Sequence, residues 1–166
     1  EMGPINLINS MNKNYNHISF IGDIVGTGSS RKSATNSLLW HFGNNIPYVP
    51  NKKTGGICIG NKIAPIFFNT MEDSGALPLE MNVDKFYMGD EISIYPYEKI
   101  VTDNHDNILT TFDIKSDILY DSVRAGGRIN LIIGKSLTEK AQNFFPNDEK
   151  IYFGNDIFYK NKVTTK

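Results

Sequence analysis

Ile18-Ser19-Phe20-Ile21-Gly22-Asp23-Ile24-Val25-Gly26-Thr27-Gly28-Ser29-Ser30-Arg31-Lys32-Ser33-Ala34-Thr35-Asn36-Ser37-Leu38-Leu39-Trp40-His41-Phe42 is the stretch that decides how this chain folds. Its first eight residues mix β-branched and aromatic side chains and are too apolar on both faces for an amphipathic strand, which predicts a buried strand over 18–25. Gly26 to Arg31 supply flexible backbone and small hydroxyls. Lys32 to Phe42 then reads as a helix that Gly43 can end. Strand, glycine turn and helix together open an α/β fold.

Ile5, Ile8 and Met11 recur at helical spacing over 4–12, with Pro4 at a first-turn position. Residues 44–60 are rich in Gly, Pro, Asn and Lys and read as a long surface loop leading into Ile57-Cys58-Ile59. Between 61 and 75, Ile63, Ile66, Phe67 and Met71 share a helical face, and Gly75 stands where a cap belongs. Residues 91–97 and 108–115 alternate apolar and polar side chains around the turn-forming run Asp103 to Asn107, a pattern that predicts a hairpin-like pair. Helices are expected over 116–125 and 136–145, the second opened by Ser136 and Glu139 at capping-box spacing. Residues 147–166 mix aromatics with Asp and Lys and hold no steady period. With no repeat or low-complexity tract, one mixed α/β domain over 1–166 is expected.

Composition narrows the function classes. The 166 residues are 40% hydrophobic, enough for a sizeable core. Seventeen Lys and Arg against eighteen Asp and Glu leave a net charge of −1, so no global field draws nucleic acid or a membrane surface. The single cysteine, Cys58, can form neither an internal disulfide nor the ligand set of a cluster or structural zinc. Lying between two isoleucines, it reads as a small core hydrophobe. A reducing, cytoplasmic setting fits, with no membrane span, because apolar runs such as 129–133 are far shorter than the ~20 residues a bilayer needs. His17, His41 and His105 are scattered and form no ligand cluster, and Lys52 and Lys53 read as a solvated loop face.

The chemistry concentrates at Gly26 to Arg31. A glycine turn before a helix gathers unpaired N–H groups at the positive end of the helix dipole, a ready anion site. The nucleotide-binding loop is excluded because Arg31 stands where its second glycine belongs, and the dinucleotide fingerprint because Gly26 and Gly28 lack a third glycine. A carboxylate is the better ligand.

Gly26-Thr27-Gly28-Ser29-Ser30-Arg31 resembles the Gly-Ser-Ser-Arg signature of the swivel domain of the aconitase superfamily. The continuation to Ser37, the stretch Lys62 to Asp73, and Asp121 to Gly134 around Val123-Arg124-Ala125-Gly126-Gly127-Arg128 resemble its bacterial B type. The resemblance covers roughly 4–142. It implies a swivelling β/β/α domain, with a mixed sheet and flanking helices, that closes over a cluster-bearing body. That enzyme interconverts citrate and isocitrate through cis-aconitate.

By position, the resemblance makes Ser29 the catalytic base and a substrate contact, and Ser30 and Arg31 holders of substrate carboxylates. Those types suit the chemistry. A serine alkoxide is a strong base only where N–H dipoles and cations stabilise it, and a guanidinium grips a carboxylate through two parallel hydrogen bonds. Arg124 and Arg128 are accessory candidates, set against the plainer alternative that they satisfy helix-end carbonyls or pair with Asp121. Two departures stand out: Ala34 replaces a second arginine that many aconitases carry, and the upstream segment with another substrate-binding arginine is not in the sequence. The 4Fe–4S cluster is implied in the rest of the enzyme, with none in this chain, so the chain alone is expected to be inactive. Homodimer contacts and RNA binding are further properties the resemblance carries; near-neutral charge weakens the RNA one. Alternatives are a non-catalytic regulatory or interaction module that keeps the swivel fold, or the small subunit of an isopropylmalate-type dehydratase.

Overall fold

The computed structural model describes residues 3–144 except 16, 115 and 117; the expectation for 147–166 lies outside them. Helix α1 spans Pro4–Asn14, and Asn12 Nδ2 ties it to the His41 carbonyl at 2.9 Å. Three parallel strands follow, β1 (Phe20–Val25), β4 (Ile57–Ile63) and β5 (Leu77–Glu80), in the order β1-β4-β5. Helices α2 (Arg31–Phe42) and α3 (Pro65–Ser74) make the two crossovers. Between α2 and β4 a small antiparallel pair forms from β2 (Asn44–Asn45) and β3 (Lys53–Thr54). A meander, β6 (Ile92–Tyr95), β7 (Ile100–Asp103) and β8 (Ile108–Thr111), precedes α4 (Ile118–Ala125) and α5 (Arg128–Phe144). The expected α/β class holds, with parallel and antiparallel strands in separate sheets.

The parallel sheet separates two cores. Val25, Leu38, Leu39, Cys58, Phe67 and Met71 join one face to α2 and α3. Ile59, Leu79, Met81, Val101, Phe112 and Leu119 join the other to the meander and α4. On α5, Leu131 is buried, whereas Ile129, Ile132, Ile133 and Leu137 face outward. No helix among the described residues is long and apolar enough to cross a membrane.

The segment taken for a buried strand is an edge strand, with Phe20 and Ile24 exposed, because β4 covers only one side of it. The central strand is β4, hidden in the expected loop, and the helix expected from 61 begins only at Pro65. Proline at that first helical position holds Ala64 extended (φ −55°, ψ 130°), so Asn61 to Ile63 continue the strand. Strand β5 is four residues containing Pro78, which an edge position tolerates because its missing N–H faces away from β4. The two strands expected to pair do not pair with each other, since β7 lies between β6 and β8. The turn after β7 is as expected, with the Asp103 carboxylate accepting N–H groups of His105 (2.8 Å) and Asn107 (2.9 Å). Hydrogen bonds from the Asn107 side chain and backbone hold that carboxyl below its ordinary value. Helix α5 starts at Arg128, eight residues before the expected Ser136 (136 − 128), and Ser136 is mid-helix. Gly126 and Gly127, both at positive φ, end α4 and leave the Gly127 carbonyl to accept the Leu131 N–H at 3.1 Å.

Strands β1 and β4 also rotate together near their C-terminal ends. Cys58 and Ile63 are five residues apart (63 − 58) yet share one core, where regular alternation would put them on opposite faces. The rotation occurs just past the register pair Gly22–Gly60, where a Cβ on Gly60 would lie 2.9 Å from the Ile63 side chain. It brings the Ala64 N–H to the Val25 carbonyl at 2.8 Å. Gly26 then turns the chain at φ +81°, and a Cβ there would lie 2.4 Å from the Phe67 ring.

Gly26→Ala is therefore expected to cost about 2–4 kcal/mol, from a strained φ and an overpacked ring. Gly28→Ala, with nothing within 4 Å of the new methyl, should stay within about 0.5 kcal/mol. Urea melts of the two variants test this, and equal midpoints would refute the Gly26–Phe67 constraint. Burial pushes the Cys58 thiol up from 9.0 to about 12, so it stays protonated through neutral pH. A thiol reagent at pH 8 should label the folded chain about 10³-fold more slowly than the unfolded chain. Equal rates would show that Cys58 is not held in the core.

Candidate functional site

Strands β1 and β4 end together at Val25 and Ile63, with β5 stopping three residues short at Glu80, opposite Gly60, and α2 and α3 begin beside the two longer ends. In open α/β sheets this C-terminal edge is where ligands bind. Neither helix has an acidic residue in its own first turn, so neither offsets the positive end of its dipole from within.

Between Gly26 and α2 the chain is short and tightly tied. The Ser29 carbonyl accepts the Arg31 N–H at 3.0 Å, and the Ser30 carbonyl accepts the Ala34 N–H at 3.0 Å. Ser30 is the N-cap residue (φ −86°, ψ 57°), yet its hydroxyl makes no capping bond. Its oxygen therefore stays available for another partner. Thr35, fully buried, donates through Oγ1 to the Arg31 carbonyl at 3.0 Å and fixes the first turn. Thr27 to Ser30 are exposed and Arg31 is partly buried, with its Nε shielded from solvent and without a hydrogen-bond partner. A buried guanidinium N–H with no acceptor is costly unless a ligand supplies one. A carboxylate fits that need.

Ser29, Ser30 and Arg31 are thus brought together at one exposed helix start, while Arg124 and Arg128 are not with them. Arg128 pairs with Glu72 at 3.3 Å and Asp73 at 3.1 Å, at the far end of α3. About 9 Å of helix rise separates Phe67, which lies beneath Gly26, from Asp73. Arg124 hydrogen-bonds the Tyr97 hydroxyl and lies 5.7 Å from its ring centroid. Lys53 donates to the Trp40 carbonyl at 2.7 Å and covers its ring, fastening the hairpin to the end of α2. No group of three or more His, Cys, Asp or Glu among the described residues could hold a metal. Cys58, protonated and fully buried, offers no thiolate, so the described residues do not fit an iron–sulfur cluster.

Phe67 and Ala64 shape the site, although the sequence marked Phe67 only as part of a helical face and did not mark Ala64. Phe67 is the floor under Gly26, and Ala64 supplies the N–H that ties α3 to β1. Their signal was Pro65, which marks a helix start at a strand end.

Comparison with known proteins agrees with this architecture. Residues 1–163 match the family described as the aconitate hydratase 2 N-terminus. Aconitate hydratase B of Pseudomonas aeruginosa is 56% identical over 142 residues, which are 85% of this chain and 16% of that protein. The Escherichia coli protein of the same name is 57% identical over 143 residues, again 85% of this chain and 16% of that one. The chain thus spans about 16% of the length of these relatives. A 3-isopropylmalate dehydratase from Methanocaldococcus jannaschii shares the fold, with a TM-score of 0.57 at 18% identity over 86% of this chain and 84% of that one. The match along nearly the whole sequence shows that this chain belongs to the family of the aconitate hydratase 2 N-terminus, the N-terminal domain family of aconitate hydratase B.

Proposed function

We propose that this chain is the swivel domain of a longer B-type aconitate hydratase and forms the Ser29-Ser30-Arg31 wall of its citrate and isocitrate site. The observation that carries the reading is the start of α2: two exposed serines beside a guanidinium whose buried Nε lacks an acceptor. Identity of 56–57% to aconitate hydratase B over most of the chain supports the same assignment. The isopropylmalate-type alternative has only the shared fold behind it.

On this reading a substrate carboxylate docks on Arg31 and the hydroxyl of Ser30, which orient it against the first turn of α2. Ser29, ionised in the field of the helix N-terminus and Arg31, takes the proton from the carbon next to a carboxylate. The C–H electron pair forms the double bond of cis-aconitate, and the substrate hydroxyl leaves the neighbouring carbon toward the enzyme body, where the cluster would supply the Lewis acid that accepts it. The Ser29 hydroxyl returns a proton to cis-aconitate in the reverse direction. The 4Fe–4S cluster belongs to the body of the enzyme, and this domain closes over it as a substrate-gripping wall. The enzyme works in the cytoplasm.

In the full-length enzyme, Ser29→Ala should lower turnover of citrate by about 10²–10⁴-fold while leaving citrate affinity nearly unchanged. A variant keeping more than about a tenth of the parent rate points to another base. Arg31→Lys keeps the charge but loses the planar fork, and should weaken citrate binding by about 1.5–3 kcal/mol. If affinity is unchanged while the thermal midpoint falls, Arg31 is structural. The purified chain by itself should not turn over citrate in a coupled assay; measurable turnover would overturn its assignment as one wall of a larger site.

A further inference from the structure

We infer that Glu80 is a positioning residue for the Gly26–Arg31 turn, its carboxylate standing in for a missing stretch of strand that would hold the end of β4. The inference rests on the hydratase reading, because the turn it positions is the one that carries Ser29 and Arg31.

The last register pair between β4 and β5 is Gly60 with Glu80, and the Met81 N–H closes that ladder on the Gly60 carbonyl at 2.9 Å. Strand β4 then runs on through Asn61, Lys62 and Ile63, past the end of β5. An overhanging strand end needs a partner for each main-chain donor that is withdrawn from water. The rotation past Gly60 turns the Ile63 N–H toward β5, where Glu80 Oε1 accepts it at 3.0 Å. A carboxylate acceptor makes this stronger than a neutral ladder bond. One residue further, the Ala64 N–H reaches the Val25 carbonyl at 2.8 Å. Val25 leads directly into Gly26, and the first turn of α3 sets Phe67 beneath it.

A continuous relay therefore runs from Glu80 through Ile63, Ala64 and Val25 to Gly26. Each link is a hydrogen bond or a shared peptide unit, so the relay acts on backbone position. Glu80 is only partly buried and is the last residue of its strand. Its work is to fix the height of the strand end on which the turn rests. Misplacing a reacting group by about 1 Å can cost 10²-fold in rate, so a loosened turn should show in chemistry before it shows in folding.

The test compares Glu80→Ala, Glu80→Asp and Glu80→Gln in the full-length enzyme, with activity read well below the lowest thermal midpoint. Glutamine keeps the oxygen acceptor; alanine removes it, and aspartate withdraws it by one methylene. Expected are a kcat for citrate at least about tenfold lower in the alanine and aspartate variants, and a near-parent value for glutamine. Amide hydrogen exchange over residues 26–34 gives a second readout that needs no turnover. It should be about tenfold faster in the alanine and aspartate variants and unchanged with glutamine. Parent-like exchange in folded Glu80→Ala would overturn the inference. So would a glutamine variant as impaired in kcat as alanine with normal exchange, since the charge itself would then be acting. A parent enzyme that neither binds nor converts citrate refutes the hydratase reading instead, and the exchange result still decides whether Glu80 positions the turn. If Glu80→Ala does not fold, the aspartate variant carries both measurements.

Discussion

The shared rotation of β1 and β4 past Gly22 and Gly60 is the constraint on which the candidate site depends. Two parallel strands that turned independently would lose their ladder; turning together, they keep it and deliver Val25 and Ile63 to the same core. The hydrogen bond from Ala64 to Val25 then locks the start of α3 to the end of β1. Gly26 can pass over Phe67 only because it lacks a Cβ. The helix start that presents Ser29, Ser30 and Arg31 is thus set by backbone geometry, which leaves those side chains free for chemistry.

A second clasp works at the opposite end of α3. Two carboxylates, Glu72 and Asp73, stand in the last turn, where the negative end of the helix dipole opposes them. Arg128, at the start of α5, pairs with both. Glu72 is largely buried, so the pair matters more for the charge that its loss would leave exposed to a dry interior than for Coulomb attraction. The half-exposed guanidinium makes the attraction itself modest, about 1 kcal/mol or less. Resemblance at Arg124 to Arg128 thus marks a structural corner that joins α3, α4 and α5.

How far the sequence could be read follows from the range of each interaction. Gly26 to Arg31 were legible because a glycine turn, hydroxyls and a cation lie side by side in the chain, and α2 follows at once. Strand β4 was not, because its rotation puts Asn61 and Lys62 at positions where polar residues break the alternation and imitate a helix face. Strand β5 is four residues with a proline, too short to hold a period, and is specified by pairing with β4. Strand β7 went unseen because it borders the polar Asp103 turn. Helix α5 began early because Gly126 and Gly127, which read as breakers, serve as its start. Glu80 lies far from the turn in sequence, and only the folded sheet brings its carboxylate to Ile63.

Sealing Cys58 between the sheet and its helices also decides how this chain meets oxidants. A thiol that is fully buried and protonated cannot exchange with glutathione or link two copies covalently while the sheet stays closed. Among the described methionines, peroxide from solvent meets Met88 most readily, a residue 86% exposed on the loop before β6. Its sulfoxide is reversible and lies away from both cores. Among the described residues, the most exposed sulfur is thus a repairable one at the surface, and the one at the centre of the parallel sheet is closed to solvent.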